Sequence, residues 1–92
     1  MKLERFTVQA CCGRTNIVFK IDRPLTVQFL TDLVAKGFTE DSKFTKAGLL
    51  YVDNLDFILT GALGGDKLQA KCKQQDCDQK LNELEGLLLQ ME

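Results

Sequence analysis

The sequence predicts an α+β domain in which a five-stranded antiparallel sheet carries two helices on one face. Short segments alternate apolar and polar residues with a period of two, as strands do, and turn-forming residues separate them. Two longer segments place apolar residues three or four positions apart, as amphipathic helices do. Strands joined by short turns pair antiparallel, so the predicted order of elements is β-β-α-β-β-β-α.

The length and composition indicate one small globular domain that spans residues 1–92. The chain is 45% hydrophobic and 27% charged, and its net charge is −1. This balance is typical of folded soluble proteins and gives no overall attraction to nucleic acid or to an anionic membrane. No apolar h-region follows the first residues, and the longest apolar runs are far too short to cross a bilayer. We therefore expect a cytoplasmic protein without membrane contact.

The first half predicts a hairpin followed by a helix. In the first strand, alternation places Phe6, Val8, Ala10 and Cys12 on the inner face and Thr7, Gln9 and Cys11 on the other. The second strand turns its apolar residues inward at Ile17, Phe19 and Ile21. Pro24 suits the first position of the helix, because its missing N–H would have no partner there. Gly37 is predicted to end the helix in a left-handed conformation, after which Phe38 returns to the core. Residues 39–47 are predicted to form an irregular loop.

The second half predicts three strands and a helix. The strands cover residues 49–52, 55–60 and 67–72, and Leu55, Phe57 and Leu59 share one side of the middle strand. Asp76 is the predicted N-cap of the last helix, since Gln79 follows at the spacing of a capping box. The core stripe of this helix consists of Leu81, Leu84, Leu88 and Met91. Gly86 interrupts the helix at a cost of up to about 1 kcal/mol, which suggests close packing against another backbone.

Four cysteines form the pattern with the most chemical character. Cys11 and Cys12 end the first strand, Cys72 ends the last strand, and Cys77 begins the last helix. Four thiolates can bind zinc tetrahedrally, so zinc is the one cofactor that the sequence suggests. Adjacent cysteines in a strand point to opposite faces, however, and free cysteine is often a small core residue. A thiol-redox role is the third interpretation of these cysteines. In the cytoplasm we expect these cysteines to be reduced rather than paired.

The residue types present argue against an enzyme. The chain has no histidine, which excludes Ser-His and Cys-His pairs and the usual proton shuttle at neutral pH. Residues 61–66 are glycine-rich, but no Lys-Ser/Thr pair and no helix follow them, so they do not form a phosphate loop. Carboxylates at turns and helix starts are explained by turn formation and capping.

The predicted function is that of a non-enzymatic protein-interaction or structural domain that self-associates as a homodimer. Its candidate interface residues are Val18, Tyr51, Ile58, Leu87 and Leu89, which the predicted core leaves outside. The first alternative is a cysteine-dependent zinc-binding or thiol-redox domain. The second is weak nucleic-acid binding through a lysine stripe at Arg14, Lys20, Lys67, Lys71, Lys73 and Lys80. A nucleic-acid partner is the less expected one, because Tyr51 is the only aromatic residue on that face.

Overall fold

The computed structural model of the chain describes residues 2–9, 15–73 and 77–90. These residues form six strands and three helices in the order β-β-α-β-α-β-β-β-α. The bounds are β1 Leu3–Gln9, β2 Thr15–Ile21, α1 Val27–Ala35, β3 Thr39–Glu40, α2 Ser42–Lys46, β4 Leu49–Asp53, β5 Phe57–Ala62, β6 Lys67–Cys72 and α3 Asp78–Leu89. The predicted α+β class is confirmed, with six strands in place of five.

All six strands belong to one antiparallel sheet in the spatial order β1-β2-β6-β5-β4-β3. The first hairpin, β1–β2, joins the later strands through the pairing of β2 with β6, where Phe19 lies opposite Leu68. The neighbours β6–β5 and β5–β4 are consecutive in the chain and form a meander, and the short β3 pairs with the outer edge of β4. Antiparallel pairing therefore runs without a break across the sheet from β1 to β3.

The core lies between one face of this sheet and the two longer helices. Phe19, Leu59 and Leu68 of the central strands are fully buried, and so are Leu33 of α1 and Leu88 of α3. They belong to one cluster of buried apolar side chains, so α1 and α3 cover the same face of the sheet. Burial of a leucine or phenylalanine side chain contributes about 1.5–3 kcal/mol, and this cluster is the main source of stability.

Several predicted side chains occupy the positions that the sequence indicates. Ile17, Phe19 and Ile21 face the core, as do Leu81, Leu84 and Leu88 of the last helix. Gly37 has a φ of 108° after the end of α1, in the left-handed region that favours glycine. Phe38 then folds back and is buried.

The faces of the first strand are the reverse of the prediction. Arg5 lies opposite the buried Phe19, so Phe6 lies opposite Val18 on the outer face and is 49% exposed. Thr7 consequently belongs to the face covered by the helices. The apolar alternation was read correctly, but alternation alone does not say which side of an edge strand is covered. Ala10, Cys11 and Cys12 lie outside the described residues.

The start of the first helix and the following segment also differ from the prediction. The Thr26 hydroxyl accepts a hydrogen bond from the Phe29 amide at 3.1 Å and caps α1, so Pro24 precedes the helix. The predicted loop at 39–47 contains the two-residue β3 and the five-residue α2, which are too short to show periodicity.

Two local predictions in the second half are corrected as well. Leu55 is 86% exposed in a turn, because the Asn54 side chain accepts hydrogen bonds from the amides of Asp56 and Phe57. The N-cap of α3 is Cys77 rather than Asp76, which lies outside the described residues together with Met91. No described helix is both long enough and apolar enough to span a membrane.

Replacement by alanine is expected to change the stability of the chain in opposite directions at Gly61 and at Gly86. A Cβ atom on Gly61 would lie 2.6 Å from Leu25 Cδ1 and 2.8 Å from the Lys67 carbonyl oxygen, whereas among the described residues nothing lies within 4 Å of one on Gly86. The close backbone packing suggested for Gly86 is therefore found at Gly61. We expect Gly86→Ala to stabilise the chain by up to about 1 kcal/mol and Gly61→Ala to destabilise it by about 1–3 kcal/mol. Urea unfolding monitored by circular dichroism measures both; a loss of stability in Gly86→Ala would contradict this assignment.

Candidate functional site

The sheet surface that faces away from α1 and α3, here called the open face, is the first candidate site. The paired registers assign its side chains strand by strand. They are Glu4 and Phe6 of β1, Asn16, Val18 and Lys20 of β2, Lys67, Gln69 and Lys71 of β6, Ile58, Thr60 and Ala62 of β5, and Leu49, Tyr51 and Asp53 of β4. The helices α1 and α3 do not cover this face, although Phe44 of α2 lies against Tyr51 at its β4 end, and a partner can lie flat on it.

Aromatic side chains mark both ends of the middle row of the open face. Phe6 lies at the β1 end, and Tyr51 lies at the β4 end, where its ring stacks on that of Phe44 from α2. The two ring centroids are 4.6 Å apart with planes inclined by 16°. Val18, Gln69 and Thr60 occupy the row between them. The row is apolar at its ends and polar at its centre.

The charges of the open face are divided unequally between its two halves. The half formed by β1, β2 and β6 carries Lys20, Lys67 and Lys71 together with one acid, Glu4 of β1. Lys20 lies directly opposite Lys67 on one side and Glu4 on the other. The described residues of β4 and β5 contribute only one charged side chain to this face, Asp53. The segment of β3 and α2 adds two acids and two lysines, which leaves the balance unchanged.

The structure brings together three of the five predicted interface residues. Val18, Tyr51 and Ile58 are partly exposed on the open face. Leu87 packs against the core cluster, and Leu89 is 45% exposed, and both lie on α3 behind the sheet. One flat partner therefore cannot contact the two leucines together with the other three.

The predicted lysine stripe is divided in a similar way. Lys20, Lys67 and Lys71 share the open face. Lys73 forms a 2.9 Å ion pair with Asp53, and Lys80 lies on α3 near Glu83. Arg14 lies outside the described residues. The continuous basic track that nucleic-acid binding would use is thus reduced to three lysines.

The second candidate site is a cleft of about 370 Å³ between the first strand and the start of α3. Its floor is apolar and consists of Ile17, Phe57, Ala70 and Leu81. Polar side chains form its wall: Arg5 and Thr7 from β1, Asp78 and Asn82 from α3. Cys72 and Cys77 line the same cleft. The combination of an apolar floor with a few polar groups is the usual chemistry of a small-molecule site.

Arg5 connects the two walls of the cleft. Its Nη1 donates a hydrogen bond to Asn82 Oδ1 at 3.3 Å and lies 3.5 Å from Glu85 Oε2. The contact with Asn82 joins residues 77 positions apart in the chain. They explain why a charged residue occupies the helix-facing side of β1: its guanidinium is paired and remains partly exposed.

Cys72 and Cys77 form a disulfide, with Cα atoms 6.4 Å apart. This pairing corrects the expectation that the described cysteines are reduced. The last residue of β6 and the N-cap of α3 are thereby joined covalently at the mouth of the cleft. The other two predicted ligands, Cys11 and Cys12, lie outside the described residues. The strand order places β2 between β1 and β6, so the first and last strands are not direct neighbours.

The zinc hypothesis remains a prediction for the reduced chain. Zinc binds cysteine as thiolate, which Cys72 and Cys77 cannot supply while they are joined to each other. Within residues 2–9, 15–73 and 77–90, no group of three or more Cys, Asp or Glu side chains is arranged to hold a metal ion.

The sequence pattern did not reveal Arg5, Thr7 and Asn82 as residues of one site. The signal available was the alternation of the first strand, in which Thr7 was predicted on the opposite face and Arg5 was given no face. Their association with Asn82 depends on where α3 crosses the sheet, and no local pattern encodes that crossing. Comparison of the chain with protein families, with curated proteins and with solved structures gave no match.

The contact between Arg5 and α3 is expected to contribute little to stability. Both partners of the Arg5–Glu85 pair are partly exposed, and such pairs contribute about 0–1 kcal/mol. Arg5→Met, which keeps most of the aliphatic stem, should therefore reduce the free energy of unfolding by less than about 1 kcal/mol. The reference variant Leu84→Ala, which truncates a buried side chain, should lose about 2–5 kcal/mol. Equal losses in urea unfolding would show that the Arg5 contact is a main element of the fold.

Proposed function

We propose that the chain is a non-enzymatic interaction domain that self-associates through its open face as a two-fold symmetric homodimer. The observation that supports this proposal is the unequal division of charge on that face. A two-fold axis places each surface against a copy of itself, so a self-contact must be complementary to its own rotated image. The open face has that property about one axis.

The favourable axis runs parallel to the strands, between β5 and β6. Rotation about it places β2 of one chain over β4 of the other and β6 over β5, because the sheet order is β1-β2-β6-β5-β4-β3. The half of each chain that carries the lysines then meets the half of β4 and β5, where Asp53, which is paired with Lys73 of its own chain, lies over Asn16 of the second chain. Two sheets packed in this way lie about 10 Å apart with strands nearly aligned, as in β-sandwiches.

Specific contacts follow from the registers. In the middle row, Val18 lies over Tyr51 of the second chain, and Gln69 lies over Thr60. In the outer rows, Lys71 lies over Ile58 of the second chain, and its aliphatic stem can cover that side chain while the ammonium group reaches solvent. No two lysines of the described open face oppose each other in this arrangement.

An axis perpendicular to the strands has the opposite effect. It would place β6 over the same strand of the second chain, with Lys67 against Lys71. Like charges in contact at an interface cost free energy and suppress the arrangement. The charge pattern thus favours one mode of self-association and disfavours the other.

Val18→Glu is the substitution that tests the interface. It places a carboxylate against the apolar Tyr51–Phe44 pair of the second chain, twice in each dimer. We expect the dimer dissociation constant to rise at least about tenfold, or about 1.4 kcal/mol. Sedimentation equilibrium at increasing protein concentration measures this change.

Val34→Glu is the matched control, because it makes the same chemical change at an exposed position of α1, away from the open face. It should leave the dissociation constant unchanged.

A chain that remains monomeric at all concentrations would refute the proposal. If that monomer bound single-stranded RNA or DNA with an affinity that falls steeply with salt, the nucleic-acid alternative would replace it. Native mass spectrometry with and without a chelator tests the zinc alternative, which requires a metal-bound mass.

A further inference from the structure

We infer that the Cys72–Cys77 disulfide is a reversible redox site that exchanges with thiols entering the cleft. This inference concerns the helix-covered side of the sheet and does not rest on self-association through the open face. Two observations support it: both cysteines line the cleft, and one of them is the N-cap residue of a helix.

The cleft gives a thiol access to the disulfide in the folded chain. Cys72 and Cys77 are partly buried and pack against the edge of the core rather than within it. The cleft is large enough for a small organic thiol, and its apolar floor, formed in part by Phe57 and Leu81, accommodates a carbon chain. Reduction therefore requires no unfolding of the buried cluster, which contains no cysteine among the described residues.

The start of α3 favours the reduced form of Cys77. Cys77 is the N-cap, and its side chain accepts no hydrogen bond from the described first turn of the helix while it is joined to Cys72. Once released as a thiolate, its sulfur lies at the positive end of the helix dipole, beside first-turn N–H groups that stabilise negative charge. Asp78 opposes this effect, because its carboxylate follows directly in the chain.

The exchange proceeds in two displacement steps. The thiolate of a small organic thiol attacks Cys72 Sγ, the Cys72–Cys77 bond breaks, and its electron pair leaves on Cys77 Sγ, which is the better leaving group at the helix start. A second small thiolate then attacks the bound small-molecule sulfur and releases Cys72 as a thiolate. Two thiols are oxidised to one small-molecule disulfide, and the protein disulfide gains two electrons and two protons.

The first experiment follows reduction by glutathione without denaturant in a chain carrying Cys11→Ser and Cys12→Ser. Trapped thiols are counted by alkylation and mass spectrometry while circular dichroism monitors the fold. We expect both cysteines to become reduced with the circular dichroism spectrum retained, and oxidised glutathione to restore the disulfide. Reduction that occurs only in denaturant, or failure of the disulfide to form under oxidised glutathione, would overturn the inference. Differential alkylation of the unsubstituted chain, resolved by peptide, gives the same answer if the double variant does not fold.

Two matched pairs of variants test the route and the leaving group. Asn82→Trp should slow reduction roughly threefold or more by obstructing the cleft. Gln79→Trp changes an exposed amide on the same helix that does not line the cleft, and it should leave the rate of reduction unchanged.

Asp78→Asn should accelerate reduction roughly twofold or more, because a charge that opposes the thiolates is removed. Glu83→Gln removes the same charge nearly one and a half helical turns further on and should have a smaller effect. Equal rates within both pairs would refute exchange through this cleft.

Discussion

The pairing of β2 with β6 is the constraint on which the rest of the structure depends. Without it, the first hairpin and the later meander would be two small sheets, each with too little apolar surface to bury alone. The pairing places Phe19 opposite Leu68 beneath α1 and α3, and so decides which face becomes the core. It also fixes the outer face, where Lys20 and Lys67 become neighbours. Both candidate sites follow from this one register.

Much of the fold was predictable because long apolar patterns report burial directly. The leucine stripe of α3 and the inward residues of β2 were identified from periodicity, since each is buried by the cluster that it helps to form. Elements with weak or short patterns were not. The two-residue β3 and five-residue α2 carry too few residues for a period. The face of β1 follows from its register with β2, which places Arg5 on the side of Asn82 and Glu85 in α3. A contact across 77 positions leaves no trace in local sequence.

The candidate sites were less predictable than the fold for the same reason. Val18, Tyr51 and Ile58 were correctly placed on one surface, because each lies in a strand whose inward residues are unambiguous. The link between Cys72 and Cys77 was missed, because the expectation of reduced thiols rested on the compartment and not on geometry. Their separation along the chain is only five residues, but a strand end and a helix start bring their Cα atoms to 6.4 Å, within the range that a disulfide spans.

The short loop closed by that disulfide bears on what the bond does. In the chain-entropy description, closing a loop of this length stabilises the fold by about 2 kcal/mol, less than a disulfide across a long loop contributes. The buried cluster includes Leu81, Leu84 and Leu88 of α3, whereas Cys72 and Cys77 pack against it without being fully buried members. We therefore expect loss of the disulfide to act on the first turn of α3 and the cleft beside it, and to leave the sheet, its register and the open face in place. A covalent bond that breaks without unfolding the domain would be suited to reversible chemistry, and we expect the opposite face of the sheet to keep its structure in either redox state.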